Sequence, residues 1–179
     1  YYGHSLTRLL HYIISIRIHY PTTKILIAKT DFKGAYRRIN LHGDMAPKCS
    51  IINGDIALVS LRLTFGGAPC PNEFCVISEI CADLGNDILR SPAWDPRVLH
   101  SPHTINLPLQ DNSDNDQPFQ KALPLDVDLP PDTHGKIEMY IDDGITVIPD
   151  LGDNRIRGTN AMALAIHTIC RTSYNNSTN

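Results

Sequence analysis

The stretch from Lys136 to Ile148, KIEMYIDDGITVI, decides the fold. Apolar side chains alternate on both sides of an Asp-Gly pair, at Ile137, Met139, Ile141, Ile145 and Val147. The pair Asp143-Gly144 predicts the turn, because both residue types tolerate positive φ. The stretch therefore predicts a β-hairpin that carries Asp142 and Asp143 at its tip.

The two aspartates at this tip have two interpretations. Aspartate is a common turn former, so Asp142 and Asp143 could serve the turn alone. Alternatively, they form a carboxylate pair that holds a divalent metal ion, since adjacent like charges are costly unless a cation compensates them. The hairpin alone leaves both interpretations open.

Composition sets the class of protein. With 179 residues, 42% of them hydrophobic and 20% charged, the chain can fill one core. The absence of a run of about 18 apolar residues and of a signal peptide predicts an intracellular protein, cytoplasmic or nuclear, without a membrane partner. Five cysteines without C-x-x-C spacing argue against a disulfide framework or a zinc site. The chain starts Tyr-Tyr-Gly without an initiator methionine, so we interpret it as a piece of a longer protein.

Charge is unevenly distributed along the chain. Residues 1–75 contain nine Lys or Arg against four Asp or Glu, whereas residues 76–179 contain seven against fifteen. The division indicates a face that meets an anion beside carboxylates that hold metal. An aspartate-rich loop is the alternative explanation.

A helix is predicted near the start of the chain. Ser5 is the predicted N-cap, the helix runs to about Tyr20, and Pro21 ends it. Its apolar stripe consists of Leu6, Leu9, Leu10, Ile13 and Ile16. Arg8 and Arg17 are expected on the solvated side of this helix.

A strand and a second hairpin follow. The apolar run 25–28 predicts a strand buried on both faces, with Asp31 at its end. Residues 50–65 predict a hairpin with its turn at Asn53-Gly54. A loop of small residues then opens a helix that extends to about Leu89.

Residues 91–135 break the periodic pattern. They contain eight of the thirteen prolines and seven aspartates, which predicts an exposed, partly disordered insertion that adds little to the core. After the Lys136–Ile148 hairpin, Thr159 or Asn160 is the predicted cap of a last helix, which runs through Ile169. Residues 171–179 form a polar tail.

Three motifs now stand in a fixed order. The first, D-x-x-x-[AG]-[FY], is matched by Asp31, Ala35 and Tyr36. The second, L-P-F-G-x-x-x-[AS]-P-x-x-F, is matched by Leu63, Phe65, Gly66, Pro71 and Phe74, with Thr64 and Cys70 replacing the usual residues. The third, Y-x-D-D, is matched by Tyr140, Asp142 and Asp143. Together they resemble the palm of a reverse transcriptase, most similar to those of retrotransposons.

The resemblance implies two-metal nucleotidyl transfer. Two Mg²⁺ ions, for which Mn²⁺ can substitute, would stabilise the attacking and leaving oxygens of an in-line displacement at phosphorus. Asp31 and Asp142 would be the bridging ligands and Asp143 a supporting one. Mg²⁺ prefers such hard oxygen ligands.

The resemblance also assigns a nucleotide site. Tyr36 would lie under the sugar of the incoming dNTP and exclude a 2′-hydroxyl. Phe65 and Gly66 would pack near the nucleotide and the templating base, where a small residue lets the backbone approach closely.

We therefore expect an α+β palm, a small antiparallel sheet with helices packed on one face, together with the long Pro/Asp-rich insertion. Residues 1–90 would be partial fingers and palm, and residues 136–170 the rest of the palm. The expected function is RNA-directed DNA polymerase, acting on an RNA or DNA template with its primer. A longer polyprotein could add RNase H or integrase domains.

Several alternatives stay open. The chain could be a catalytically inactive retroelement remnant that acts at most as a nucleic-acid-binding module. An RNA-templated RNA polymerase shares the palm, but Tyr36 argues against it because RNA synthesis must admit the 2′-hydroxyl. We expect the isolated chain not to polymerise, because a fingers subdomain supplies cations to the triphosphate and a thumb holds the primer in the resembling family.

Overall fold

The computed structural model describes residues 4–99, 102–105, 107 and 134–170. The helices are α1 (Ser5–His19), α2 (Cys70–Arg90) and α3 (Asn154–Cys170). The strands are β1 (Ile25–Asp31), β2 (Ser50–Asn53), β3 (Ile56–Val59), β4 (Lys136–Tyr140) and β5 (Asp143–Pro149). These residues form an α+β fold with small antiparallel sheets, as the sequence predicts at this coarse level. Among the described helices, none combines the length and the apolar character that a membrane crossing requires.

The larger sheet has three strands in the order β1-β5-β4, and both pairings are antiparallel. The predicted hairpin between β4 and β5 is therefore confirmed. The predicted position of its turn is wrong, because Tyr140 pairs with Asp143 and the turn consists of Ile141 and Asp142. Gly144 lies within β5, opposite Thr30 of β1.

Packing explains why a glycine stands at position 144. A Cβ at Gly144 would collide with the end of the Met162 side chain on α3 and lie 3.2 Å from the sulfur of Met139. The glycine thus lets α3 approach the sheet closely, and it is not needed for a turn. Gly158 has the same role one turn earlier on α3, where a Cβ would collide with Ile148.

Helices cover both faces of the sheet, whereas the sequence analysis expected them on one. Helices α2 and α3 pack on the face formed by Ile137 and Met139 of β4, and this cluster includes the fully buried Phe74 and Met162. Helix α1 packs on the opposite face through Leu9 and Ile16, which contact Val147. Side chains along a strand alternate between the two faces of the sheet, so both faces can carry apolar residues. The sequence pattern does not specify whether helices cover one face or both.

Helix α1 occupies nearly the range that the sequence predicts, but its buried side is narrower. Leu9 and Ile16 are buried, whereas Leu6 and Leu10 are 52% and 55% exposed. Ser5 is also not an N-cap. It is the first residue of the helix, and its hydroxyl donates a 2.6 Å hydrogen bond to the carbonyl oxygen of Met139.

Arg8 lies on the exposed side of α1, as the sequence predicts, but it also has a partner on the sheet. Its guanidinium donates two hydrogen bonds, of 2.9 and 2.6 Å, to the carboxylate of Glu138, which is buried on β4. A buried carboxylate needs such a partner, because desolvation without one is costly. Arg17 instead donates to the carbonyl oxygens of Pro21 and Thr23 beyond the helix end.

Strand β1 is an edge strand and is half-buried on one face only. Its residues alternate between intermediate and exposed from Leu26 onward, and Ile27 is 64% exposed. The expected burial on both faces is therefore wrong. Its apolar run resembles that of a central strand, but here β5 holds the central place.

Strands β2 and β3 form a separate two-stranded ribbon. The predicted hairpin is confirmed, but its turn lies at Gly54 and Asp55, because Asn53 pairs with Ile56. All its residues except Ser50 are exposed, and the exposed apolar side chains lie on both faces. Hydrogen bonds from Leu41 to Leu61 and from Leu63 to Ile39 close the base of this ribbon.

The segment 91–99 packs on α3, although most of its residues are exposed. The carbonyl oxygens of Pro96 and Leu99 accept hydrogen bonds from the side chain of Asn160, which is completely buried. Arg157 donates to the carbonyl oxygen of Ser91, and its guanidinium lies 5.3 Å from the ring centre of Trp94.

Helix α3 begins at Asn154, so Asn160 lies inside the helix and is not its cap. Most of the predicted insertion, residues 108–133, and the tail fall outside the described residues.

Asn86 of α2 protects the outer edge of the sheet. Its side-chain oxygen accepts the backbone N–H of Ile137 at 2.9 Å, and its nitrogen donates to the carbonyl oxygen of Ile137 at 2.8 Å. Both residues are buried. One amide side chain thus completes both backbone groups that Ile137 turns away from β5, as a neighbouring strand residue would do.

We predict that Asn86→Ala lowers the free energy of unfolding by about 2–4 kcal/mol, because two buried backbone groups lose their partners. Urea denaturation followed by circular dichroism measures the loss. Asn72→Ala is the matched control, since Asn72 is exposed on the same helix. An equal small loss in both variants would show that the Asn86 pairing contributes little.

Candidate functional site

The three aspartates of the motifs lie at one end of the three-stranded sheet. Asp31 is the last residue of β1 and stands directly opposite Asp143, the first residue of β5. Asp142 precedes Asp143 in the turn, and its carbonyl oxygen accepts a 3.2 Å hydrogen bond from the backbone N–H of Phe32. The fold thus brings together residues of the first and third motifs that are far apart in the sequence.

Strand geometry places two of these carboxylates on the same face. Residues directly opposite in an antiparallel pair project to one side, so Asp31 and Asp143 share the face that α1 covers farther along. Asp31 is exposed, and Asp142 and Asp143 are half-buried. The end of the sheet that carries them is therefore open to solvent.

Lys29 lies at this end of the sheet, and its contact with Asp143 was not predicted from the sequence. Its ammonium nitrogen lies 2.9 Å from Oδ2 of Asp143. The hydrogen bond to Asp143 and the negative charge of Asp143 raise the pKa of Lys29, and the charges of Asp31 and Asp142 add to the effect. The signal was available in the spacing, because a residue two positions before Asp31 in a strand lies on the same face.

The aromatic residues of the first and second motifs form a second group. The ring centres of Tyr36 and Phe65 are 5.8 Å apart with the rings at 73°, and those of Tyr36 and Phe74 are 5.4 Å apart. Phe32 contacts the same Phe74 ring edge-on at 5.6 Å. Phe74 is completely buried and anchors the group, whereas Phe65 is 91% exposed. This leaves Phe65 available to contact a ligand.

The glycine and the two substituted positions of the second motif have local explanations. Gly66 has a φ of 89°, and a Cβ there would meet open space, so the backbone conformation and not crowding requires glycine. Thr64 and Cys70, the two residues that differ from the usual second motif, contact each other, with 3.6 Å between the hydroxyl oxygen and the sulfur. They therefore form one local pair at the start of α2.

The hairpin tip is strained. Ile141 has a φ of 59°, a region that a β-branched side chain rarely adopts. Such a residue costs about 1–3 kcal/mol and persists only where the surroundings enforce it. The side chain of Ile141 packs against the core cluster of α2 and α3, and the register on either side fixes its backbone.

The donor atoms at this end of the sheet suit a hard cation. Asp31, Asp142 and Asp143 all offer carboxylate oxygens, the ligand type that Mg²⁺ and Mn²⁺ accept. However, no three histidine, cysteine, aspartate or glutamate side chains in the described part of the chain are grouped as a metal site. The carboxylates are thus near one another, but their side chains are not gathered around one point, and Asp143 is engaged by Lys29.

Comparisons with protein-family models, with curated proteins and with solved structures gave no match for this chain. The assignment of the site therefore depends on the motifs and on the geometry described above.

We predict that Asp31→Asn raises the free energy of unfolding by about 0.2–1 kcal/mol when a chelator is present, because it removes a like charge opposite Asp143. Urea denaturation at low and high salt measures the effect, which should shrink as salt screens the charges. Asp55→Asn, at the exposed ribbon turn, is the control. A loss of stability in Asp31→Asn would mean that the carboxylate makes favourable contacts that outweigh the repulsion.

Proposed function

We propose that this chain is part of the palm of an RNA-directed DNA polymerase similar to those of retrotransposons. The observation that carries the proposal is the pairing of Asp31 with Asp143 at the open end of the sheet. Two motifs that are far apart in the sequence contribute carboxylates to the same place, as nucleotidyl transfer requires. The order of the three motifs along the chain agrees with this reading.

In the proposed site, Asp31, Asp142 and Asp143 would hold divalent metal through carboxylate oxygens. When bound, the metal would stabilise the developing charges on the attacking and leaving oxygens. The chain's own contribution is to hold the carboxylates at the ends of paired strands, where the backbone register limits their movement. Rigid positioning of this kind supplies much of the rate in phosphoryl transfer.

The aromatic group supports a nucleotide site beside the carboxylates. Tyr36 follows the strand that ends at Asp31, and it is held between Phe65 and the buried Phe74. A ring fixed in this way can act as a steric wall, whereas the exposed Phe65 ring can stack on a base. We assign Tyr36 to selection of the sugar and Phe65 with Gly66 to contact with the nucleotide.

A second candidate function is an inactive remnant of such an enzyme that binds nucleic acid without catalysis. Two observations favour it. The aspartate side chains are not grouped as a metal site in the described residues, and the Lys29 ammonium is bound to Asp143. The positive balance of residues 1–75 would then attract phosphates through charge alone.

Metal binding separates the two candidates. We predict that the wild-type chain binds Mn²⁺ and that Asp31→Asn and Asp142→Asn each weaken the binding by about tenfold or more, because a site with few carboxylates loses a ligand. Electron paramagnetic resonance of free Mn²⁺ during a titration gives the dissociation constants.

Asp55→Asn serves as the control for this titration, because it removes the same charge far from the hairpin tip in the sequence. Equal Mn²⁺ binding by the wild type and all three variants would count against a polymerase site. It would leave the nucleic-acid-binding remnant as the better interpretation.

We also predict that Tyr36→Ala reduces the preference of the chain for deoxyribonucleoside over ribonucleoside triphosphates by about tenfold, because a steric wall against the 2′-hydroxyl is removed. Isothermal titration calorimetry with dUTP and UTP in the presence of Mn²⁺ measures both affinities. Tyr36→Phe keeps the ring and should keep the preference. An unchanged ratio in Tyr36→Ala would remove Tyr36 from sugar selection.

A further inference from the structure

The β2–β3 ribbon and the residues directly after it carry the largest group of exposed apolar side chains in the described part of the chain. Five of these side chains are 64–74% exposed, and Val59 is 49% exposed. The group consists of Ile51, Ile52, Ile56, Leu58, Val59 and Leu61. Single exposed apolar residues are ordinary on a protein surface, whereas a contiguous group of them marks an interaction site.

The apolar side chains lie on both faces of the ribbon. Opposite residues in an antiparallel pair share a face, so Ile51 and Leu58 lie together on one face, and alternation adds Ile56 to it. Ile52 and Val59 lie on the other face. The described part of the chain leaves both faces open to solvent, because every residue of the two strands except Ser50 is exposed.

The edges of the ribbon are open as well. Among the described residues, each of the two strands has the other as its only strand neighbour, so each turns a row of backbone groups outward. Edge strands are commonly protected by charged residues or by proline, but β2 and β3 contain neither. The ribbon thus lacks the features that normally prevent a strand from associating with another chain.

The chemistry of the ribbon narrows the choice of partner. Nucleic acid is held by lysine and arginine, and neither strand contains one. A lipid surface would meet the tip of the ribbon first, but the tip is polar, with Asn53, Gly54 and Asp55. The uncharged strands suit a protein surface of the same kind, and a second copy of this chain offers one that leaves no charge unpaired.

The area that a stable dimer requires decides how two copies would meet. Each of the six side chains offers on the order of 100 Å² of exposed apolar surface. With one face in contact, two copies would bury roughly 600 Å², which is below the roughly 1,000 Å² that a specific interface needs. With both faces in contact, they would bury about 1,200 Å², which meets the requirement.

We propose that two copies of this chain form a dimer by exchanging their β2–β3 ribbons. Each ribbon lies with one face on its counterpart and with the other face on the body of the second copy. The contact is isologous, so the same residues of both copies contribute to it. The dimer is independent of the proposed polymerase function, because it uses neither the motif aspartates nor Tyr36.

Sedimentation velocity of the full chain at about 1–100 μM tests the proposal, because interfaces of standard size give micromolar or tighter affinity. The wild type should change from monomer to dimer as its concentration rises. Leu58→Glu and Ile52→Glu alter one face each, and each should raise the dissociation constant at least about thirtyfold, because the dimer would bury unpaired charges. Ile27→Glu is the matched control, since Ile27 is a strand isoleucine of similar exposure outside the ribbon. It should change the dissociation constant by less than about twofold.

Threonine variants separate loss of the contact from loss of the ribbon. Glutamate disfavours strands, whereas threonine favours them and still removes most of the apolar side chain. Leu58→Thr and Ile52→Thr should therefore each raise the dissociation constant about fivefold or more while the ribbon persists. Hydrogen exchange gives an independent measurement, because amides of β2 and β3 should exchange more slowly at concentrations at which the dimer forms.

The outcomes either support the dimer or overturn it. Weakening by substitutions on both faces, with Ile27→Glu unchanged, would support the exchange of ribbons. A wild type that remains monomeric at all these concentrations would overturn the dimer and leave a different chain as the partner of the ribbon. A dimer that all variants form equally well would place the contact elsewhere and overturn the proposal. Weakening by substitutions on one face only would overturn the exchange of ribbons.

Discussion

The pairing of β1 with β5 is the constraint on which the rest of the molecule depends. Strand β5 is central, and its register with β1 runs from Ile25 opposite Pro149 to Asp31 opposite Asp143. A slip of one residue would turn every side chain of β1 to the other face. It would turn the half-buried Leu26 and Ala28 to the exposed face and would move both Asp31 and Lys29 away from Asp143. The position of the candidate site and the burial of the core therefore have the same origin.

The two edges of this sheet are protected in different ways. The β4 edge is closed by side chains, because Asn86 completes both backbone groups of Ile137 and Ser5 completes the carbonyl of Met139. The β1 edge carries Lys29 and Asp31, and charged residues of this kind discourage pairing with another chain. Charge near the end of β1 thus serves the sheet as well as the candidate site.

Local patterns in the sequence predicted most elements, but not the details that depend on distant partners. The three helices, both hairpins and the strand before Asp31 follow from periodicity and turn residues, and the coarse α+β class follows from them. The turn at Asp143-Gly144 was wrong because Gly144 is required by the approach of Met162, and that contact joins two separate parts of the chain. Isoleucine rarely adopts a positive φ, so residue type could not have predicted the backbone conformation of Ile141. Likewise, Asn86 resembles any helical asparagine until its strand partner is known.

For the candidate site, the closeness of the motif aspartates was expected, but the contacts around them were not. Asp31 was expected near Asp142 and Asp143 only because the three motifs together resemble a reverse-transcriptase palm. The partner of Asp143 was not predicted, because Lys29 is far from Asp143 in the sequence and only the register of β1 on β5 brings the two side chains together. Helix coverage of both faces was also missed. The apolar stripe of α1 indicates that the helix packs against another element, but it does not indicate which face of the sheet the helix packs on.

The β2–β3 ribbon divides the molecule into parts of unequal local stability. Its side chains are exposed on both faces, so its strands are held by little more than their own hydrogen bonds, and an isolated two-stranded ribbon is marginal in water. Amide hydrogens in the ribbon should therefore exchange with solvent through small openings, while those of β5 require much larger ones. The hydrogen bonds that join residues 39 and 41 to residues 61 and 63 form a boundary between these parts. The ribbon can consequently open and close as a unit while Tyr36 and Phe65, on the other side of that boundary, keep their places.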